Sequence, residues 1–282
     1  MIFICIVLLI VGICLGSFVN ALIWRVHEQE TESRKKRPNK AYLKQLSISR
    51  GRSMCVHCHH ELAAKDLIPV ISWLWLRGKC RYCQAPISAQ YPIVELITGL
   101  LFVISYLWWP TDISGGPAVW QFLTWLGLLV GFMALTVYDL KWMLLPNRIV
   151  FPLTAVAVLF AGCGLMLADV LSTAALNLAL AVLVGGGIFY LLFQLSGGKW
   201  IGGGDVKLGW LLGLVVLTPS RALLMIFLAA LAGTIVSLPL MLSGRLKKHA
   251  TIPFGPFLIL GAFIVVLWGS SILNWYQNFI GV

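Results

Sequence analysis

Apolar residues along this chain do not alternate; they come in runs of up to about twenty, separated by polar stretches that are mostly short. The runs fall at residues 1–24, 92–109, 119–138, 149–167, 173–193, 207–218, 222–242 and 252–273. About 20 apolar residues is the length at which a helix crosses a hydrocarbon core roughly 30 Å thick. A spanning helix also satisfies its own backbone polar groups. The pattern therefore predicts an all-α polytopic membrane protein of about eight transmembrane helices. One polar stretch, residues 25–91, is far longer than the others. It divides the chain into a first transmembrane helix (1–24), a loop domain (25–91) and a seven-helix membrane domain (92–282). No Lys or Arg precedes Arg25, so the basic start of a cleavable signal peptide is missing and the first run reads as a retained span.

Composition excludes a soluble domain and a disordered chain: 60% of residues are hydrophobic, with 12 Trp and 14 Phe. Charge sets the orientation. Of the 21 Lys and Arg, 13 lie in residues 25–91, and Lys141, Arg148, Lys199, Lys207, Arg245, Lys247 and Lys248 fall in alternate loops on the same face. Only Arg221 lands opposite. Short loops rich in Lys and Arg stay on the cytoplasmic side, which puts the long loop inside and both termini outside. The net charge of +11 is then explained by topology and by membrane lipid as a partner, with no need for nucleic acid.

The cytoplasmic loop carries Cys55-x2-Cys58 and Cys80-x2-Cys83, with 21 residues between the pairs. Each pair presents two thiolates from one tight turn, and two such turns close a tetrahedral site for a zinc ion. The reducing compartment disfavours a disulfide pair, and a redox Cys-x-x-Cys is the other alternative. With four thiolates and no open position, such a metal is structural. His57, His59 and His60 flank the first pair as solvated or outer groups. Cys5, Cys14 and Cys163 sit in apolar runs, where a thiol acts as a small hydrophobe.

Ten acids occur in the whole chain, and four of them, Asp112, Asp139, Asp169 and Asp205, lie beyond residue 95. An ionisable group at membrane depth is costly unless paired or solvated, so each one is a candidate for function. Asp112 and Asp169 fall in outer turns and read as solvated. Asp139 follows the run 119–138, and Asp205 follows Gly202, Gly203 and Gly204. Counting back from the outer face near Thr218 at about 1.5 Å per residue reaches Asp205 after only roughly 20 Å, which sets the glycine turn below the inner surface. Both aspartates are thus expected in one wet recess, coupled in their titration. One draws a proton from water attacking a carbonyl carbon while the other donates to the carbonyl oxygen and then to the leaving amine, the chemistry of an aspartyl protease. Either aspartate can take the base role.

The glycines form a flexible turn that lets a second backbone approach, a substrate loop. Competing readings are an interfacial Asp139 beside Lys141 and an Asp205 that caps the helix after it. Lys207 reads as a topology-setting cation. Glu95, just inside the second span, reads as a polar structural group or a cofactor contact, and with Lys207 it completes the candidate supporting residues. A cation-coupled transporter using the two aspartates as an ion site is the alternative function.

Taken in order, Gly16-Ser17-Phe18-Val19-Asn20, the four cysteines, Ile68-Pro69-Val70-Ile71-Ser72-Trp73 with Leu76-Arg77-Gly78, Tyr91-Pro92-x-x-Glu95, Asp139 with Leu145-Pro146-Asn147, Gly202-x-Gly204-Asp205 and Pro253-Phe254-Gly255-Pro256-Phe257 resemble the prepilin peptidase family. The resemblance implies an enzyme of the bacterial cytoplasmic membrane whose catalytic aspartates are Asp139 and Asp205. Its substrates would be type IV prepilin and pseudopilin precursors, cut at a short basic leader. S-adenosylmethionine would then donate a methyl group to the new N-terminus, a step the four cysteines favour. The chain departs from the family's pattern at Leu67 and at His60.

Overall fold

The computed structural model describes residues 1–48, 51–244 and 252–281. Arg245, Lys247 and Lys248, counted above among the inner cations, lie outside the described residues. Ten α-helices and one 3-10 turn make up the described chain, and the only β pairing among the described residues is two isolated bridges. Two compact units are present, residues 1–107 and 108–282.

The first unit contains α1 (Ile2–Ser33), α2 (Lys40–Gln45), a 3-10 turn (Ala64–Asp66), α3 (Ile71–Trp75) and α4 (Gln90–Leu107). Helix α1 continues well past the apolar run ending at residue 24. Its polar extension is anchored by side chains of its own: buried Arg25 donates to the carbonyls of Ser47, Ile48 and Gly51, and Gln29 donates to that of Leu46. Buried Glu32 accepts from the Asn39 amide and from Lys35.

Helices α1 and α4 run antiparallel with bare backbones in contact. A Cβ on Gly12 would stand 2.7 Å from Cα of Gly99, and one on Gly16 would stand 2.7 Å from Cα of Glu95. Small residues four apart permit the close crossing that holds helices together in lipid, where apolar burial gives no drive. One turn further along, Asn20 donates to the Tyr91 carbonyl at 3.1 Å.

The second unit contains α5 (Gly116–Trp142), α6 (Asn147–Met166), α7 (Leu171–Ser196), α8 (Gly203–Val216), α9 (Pro219–Leu242) and α10 (Gly255–Ile280). Seven of the ten helices are long and apolar enough to cross a membrane: α1, α4, α5, α6, α7, α9 and α10. The multi-pass architecture is therefore present, with one difference. Helix α8 has 14 residues, about 21 Å at 1.5 Å per residue, short of a full crossing. It is buried on nearly every side, packing on α6, α7, α9 and α10. A helix apolar all round belongs in a protein interior. Its approach to α7 depends on glycine: a Cβ on Gly185 would stand 2.9 Å from the Gly209 carbonyl oxygen, and one on Gly213 2.6 Å from Cα of Val182. Away from that seam, Trp125 is fully buried, its ring stacked on Phe263 and tilted against Trp109 and Phe160.

Candidate active site

Helix α5 runs through residue 139 instead of ending at 138, and the last turn closes on a left-handed Met143 (φ 52°) whose N–H bonds the Asp139 carbonyl at 2.8 Å. Asp139 is 6% exposed. Its carboxylate lies against the start of α10, where the Gly255 backbone amide donates to it. An ideal Cβ on Gly255 would stand 2.6 Å from Asp139 Oδ2. Any side chain there must displace the carboxylate.

Asp205 is the third residue of α8, not its cap; the cap is Gly202, which offers no side chain. The Asp205 carboxylate turns back to the Gly202 amide, as the third helical residue does in half of a capping box. A carboxylate in the first turn is also favoured by the helix dipole. The capping reading and the catalytic one are thus compatible, because the amide engages one end of a half-buried carboxylate. Asp139 and Asp205, 66 positions apart in sequence, lie within electrostatic reach of each other. A short helix entering the bundle interior and a long one leaving it bring two acids within electrostatic reach, each steadied by a backbone amide.

The glycines of the turn are arranged differently from a loop. Gly202 is extended (φ −75°, ψ 147°), and Gly203 and Gly204 are already the first helical residues. None of the three has positive φ; the left-handed glycines are Gly197 and Gly198, just before. What residues 202–204 provide is space: Gly202 and Gly203 are exposed, and a Cβ on Gly204 would press on Leu145 at 3.2 Å. Lys207 does not join the aspartates; its Nζ donates to Asn147 Oδ1 at 2.9 Å, tying α8 to the start of α6. Asp112 and Asp169 are exposed.

Glu95 is in the first unit, 5% exposed. Its Oε2 accepts from the Val70 amide at 2.6 Å, and Ser17 of α1 also bonds it. Val70 is a β-branched residue at φ 61°, ψ −54°, and the Ile71 amide reaches over it to the Pro69 carbonyl at 2.6 Å. That is a γ-turn of the strained hand, and Glu95 holds its centre.

The four cysteines meet. Their sulfur atoms all lie within 4.8 Å of one another, and Cys55 Sγ is 3.8 Å from Cys83 Sγ. A tetrahedron of thiolates at about 2.3 Å from a zinc ion has edges of about 3.8 Å, so the donor set fits that metal. Each pair sits in the same hairpin. Cys55 N–H bonds the His60 carbonyl as Cys80 N–H bonds that of Ala85; His59 and Gln84 return to the two cysteine carbonyls; Leu62 and Ile87 close on Ser53 and Gly78. His59 and Gln84 both take positive φ, 56° and 58°.

The sulfurs share their protons unequally. Burial pushes the Cys55 thiol up, but the amides of Cys58 and His57 and the neighbouring thiols outweigh it and bring it to about 7. At Cys83 the Ala85 amide favours the thiolate, yet burial and the other sulfurs push it up to about 12. The three histidines stay out of the cluster: His59 and His60 pack edgewise or tilted on Tyr42 and Tyr82.

Residues 10–109 match the model of the bacterial peptidase A24 N-terminal domain, and residues 125–238 match that of the type IV leader peptidase family. A prepilin leader peptidase/N-methyltransferase of Aeromonas hydrophila is 36% identical over 279 residues, 95% of this chain and 92% of the relative. The chain belongs to the type IV leader peptidase family. Relatives with the same description occur in Pseudomonas aeruginosa, 30% identical over 97% of this chain and 93% of the relative, and in Bacillus subtilis, 34% identical over 82% and 87%. No solved structure matches the chain. The matches support prepilin processing, and nothing in them favours cation transport. Sequence reasoning missed one residue of the candidate site. Gly255 stands inside the Pro253–Phe257 motif, but only its contact with Asp139 gives it a role.

Proposed function

We propose that this chain removes the short basic leader of type IV prepilins and pseudopilins at the cytoplasmic face of the bacterial inner membrane and then N-methylates the new terminus. The observation that carries the reading is the approach of Asp139 to Asp205, with amides from Gly255 and Gly202 fixing their carboxylates. One carboxylate, ionised, takes a proton from water as its oxygen attacks the scissile carbonyl carbon. The other, protonated, donates to the carbonyl oxygen, and on collapse the leaving amine receives a proton while the C–N bond breaks. The exposed glycines at 202 and 203 leave an unobstructed approach for an extended peptide. In the second step S-adenosylmethionine is a substrate: the neutral new amine attacks its methyl carbon, the sulfonium S–CH3 bond breaks to release S-adenosylhomocysteine, and the methylated amine gives up a proton to solvent.

Orientation follows from the cations, 20 of 21 on one face. The loop of residues 25–91 and the aspartates are inside, and with α8, which starts below the inner surface, completing the eighth pass, both termini are outside. Cys55, Cys58, Cys80 and Cys83 hold a structural zinc ion, which supplies no open coordination position for chemistry.

The test is cleavage of one purified precursor, followed on gels. Asp139→Asn and Asp205→Asn should each lower cleavage by about 10³-fold or more, while both proteins still methylate a pre-cut peptide. Precursor processed at the normal rate by either variant would refute the assignment and return the aspartates to an ion-site role.

A further inference from the structure

Helix α3 exposes nearly all of its apolar surface. Ile71 is 56% exposed, Leu74 61% and Trp75 82%, and the residues leading into it, Leu67 and Ile68, are 41% and 45% exposed. Trp73, by contrast, is turned inward, its Nε1 donating to the Ile87 carbonyl at 3.1 Å, with Gly78 against its ring. One side of this short helix is therefore fastened to the four-cysteine loop. The other side has no protein cover.

Its level relative to the spans can be worked out. Helix α4 has 18 residues, about 27 Å at 1.5 Å per residue, which hardly matches a hydrocarbon core of about 30 Å. No turn of α4 is spare, so Gln90 lies at the edge of the core. Glu95 is five residues further in, about 7.5 Å along the axis. Its side chain leans back toward the helix start and takes the Val70 amide at 2.6 Å. Val70 is the residue that caps α3. The strained γ-turn and the bond to Glu95 thus fix the start of α3 between the edge of the core and a depth of about 7.5 Å, a range that reaches into the roughly 5–10 Å zone where amphipathic helices lie in the interface.

Charge agrees with the depth. Lys65, Arg77 and Lys79, all exposed, bracket the apolar residues, as cations do where a surface meets anionic headgroups. An exposed Trp beside them is the residue enriched at that boundary.

We infer that residues 67–76 form a second, non-spanning membrane attachment, in which Ile68, Ile71, Leu74 and Trp75 enter the lipid interface and the Glu95–Val70 bond sets their depth. The four-cysteine loop is then tethered to the bilayer at its middle as well as at its two ends. The occupant of the apolar face is lipid. It does not depend on the peptidase reading, since nothing in it requires the aspartates.

The test uses the full chain in phospholipid vesicles containing an anionic lipid and a phospholipid with a diazirine in its acyl chain. After photolysis, adducts are located by mass spectrometry. Ile71, Leu74 and Trp75 should carry lipid adducts as abundantly as Leu100, an outward residue of α4 that is 52% exposed, while Glu61 stays unlabelled. Labelling of Leu100 without labelling of α3 would overturn the inference. So would adducts on α3 that disappear when a prepilin precursor is added, because that would make the face a substrate dock.

Discussion

Gly255→Ala tests the geometry of the aspartate pair without touching either acid. The new Cβ would begin 2.6 Å from Asp139 Oδ2, whereas ordinary contact starts at 3.4 Å, so the carboxylate must retreat by about 0.8 Å. The amide donor survives the change. The backbone tolerates it as well, since Gly255 lacks positive φ and opens α10, where alanine is the better helix former. A misplacement of about 1 Å at a reacting group costs up to about 10²-fold, so kcat for cleavage should fall roughly 10- to 100-fold with KM little changed. The assay is precursor cleavage under saturating and limiting substrate, beside Gly233→Ala as a control, whose Cβ would meet nothing closer than 3.6 Å. Both variants should unfold at the wild-type temperature and methylate a pre-cut peptide. A Gly255→Ala enzyme with kcat within about twofold of wild type would refute the reasoning, because a crowded carboxylate could not then be part of the reacting pair.

Other expectations concern the first unit. Cys55→Ser or Cys80→Ser should abolish a one-to-one zinc content measured by atomic emission, and should expose residues 53–87 to limited proteolysis, while a chelator should do the same to the wild type more slowly. Burial alone would raise the Asp66 carboxyl, but Arg81, Tyr82 and the Ala63 amide outweigh it and hold it below the usual range. Its contribution is therefore complete above the unfolded value of about 4 and is lost as pH falls through the lower folded value. The stability difference between wild type and Asp66→Asn, followed by thermal melts, should be constant near neutrality and shrink only in acid; a difference that grew in acid would reverse the sign. Glu95→Ala leaves the Val70 amide without its acceptor and should cost about 1–3 kcal/mol, read as faster amide exchange at Val70 and a lower melting temperature.

The long spans were legible because hydropathy is a local property: residues 119–138 and 149–167 mark α5 and α6 closely, whatever surrounds them. Helix ends were not. Residues 25–33 and 139–142 are polar enough to look like loop, yet they are helical: Arg25 and Gln29 find carbonyls at residues 46–51, Glu32 finds Lys35 and Asn39, and Asp139 finds Gly255. The cysteine cluster could be foreseen from spacing alone, since two short turns leave four sulfurs few places to go. The glycines at 202–204 show the opposite case. Their composition suggested an irregular turn, whereas the helix begins within them, its first turn closed by the Asp205 carboxylate on the Gly202 amide. The γ-turn at Val70 had no local signal at all; the carboxylate that accepts its amide comes from Glu95 on α4, 25 positions along the chain.

The two thiolate hairpins repeat each other bond for bond at an offset of 25 residues: Ser53 with Gly78, Cys55 with Cys80, His60 with Ala85, Leu62 with Ile87. Everything between Leu62 and Gly78, the 3-10 turn and α3 included, is thus a guest held at both ends by a duplicated host. Substitutions within the guest can change what it presents while the host keeps its shape. Loss of one hairpin would leave the guest fastened at one end only.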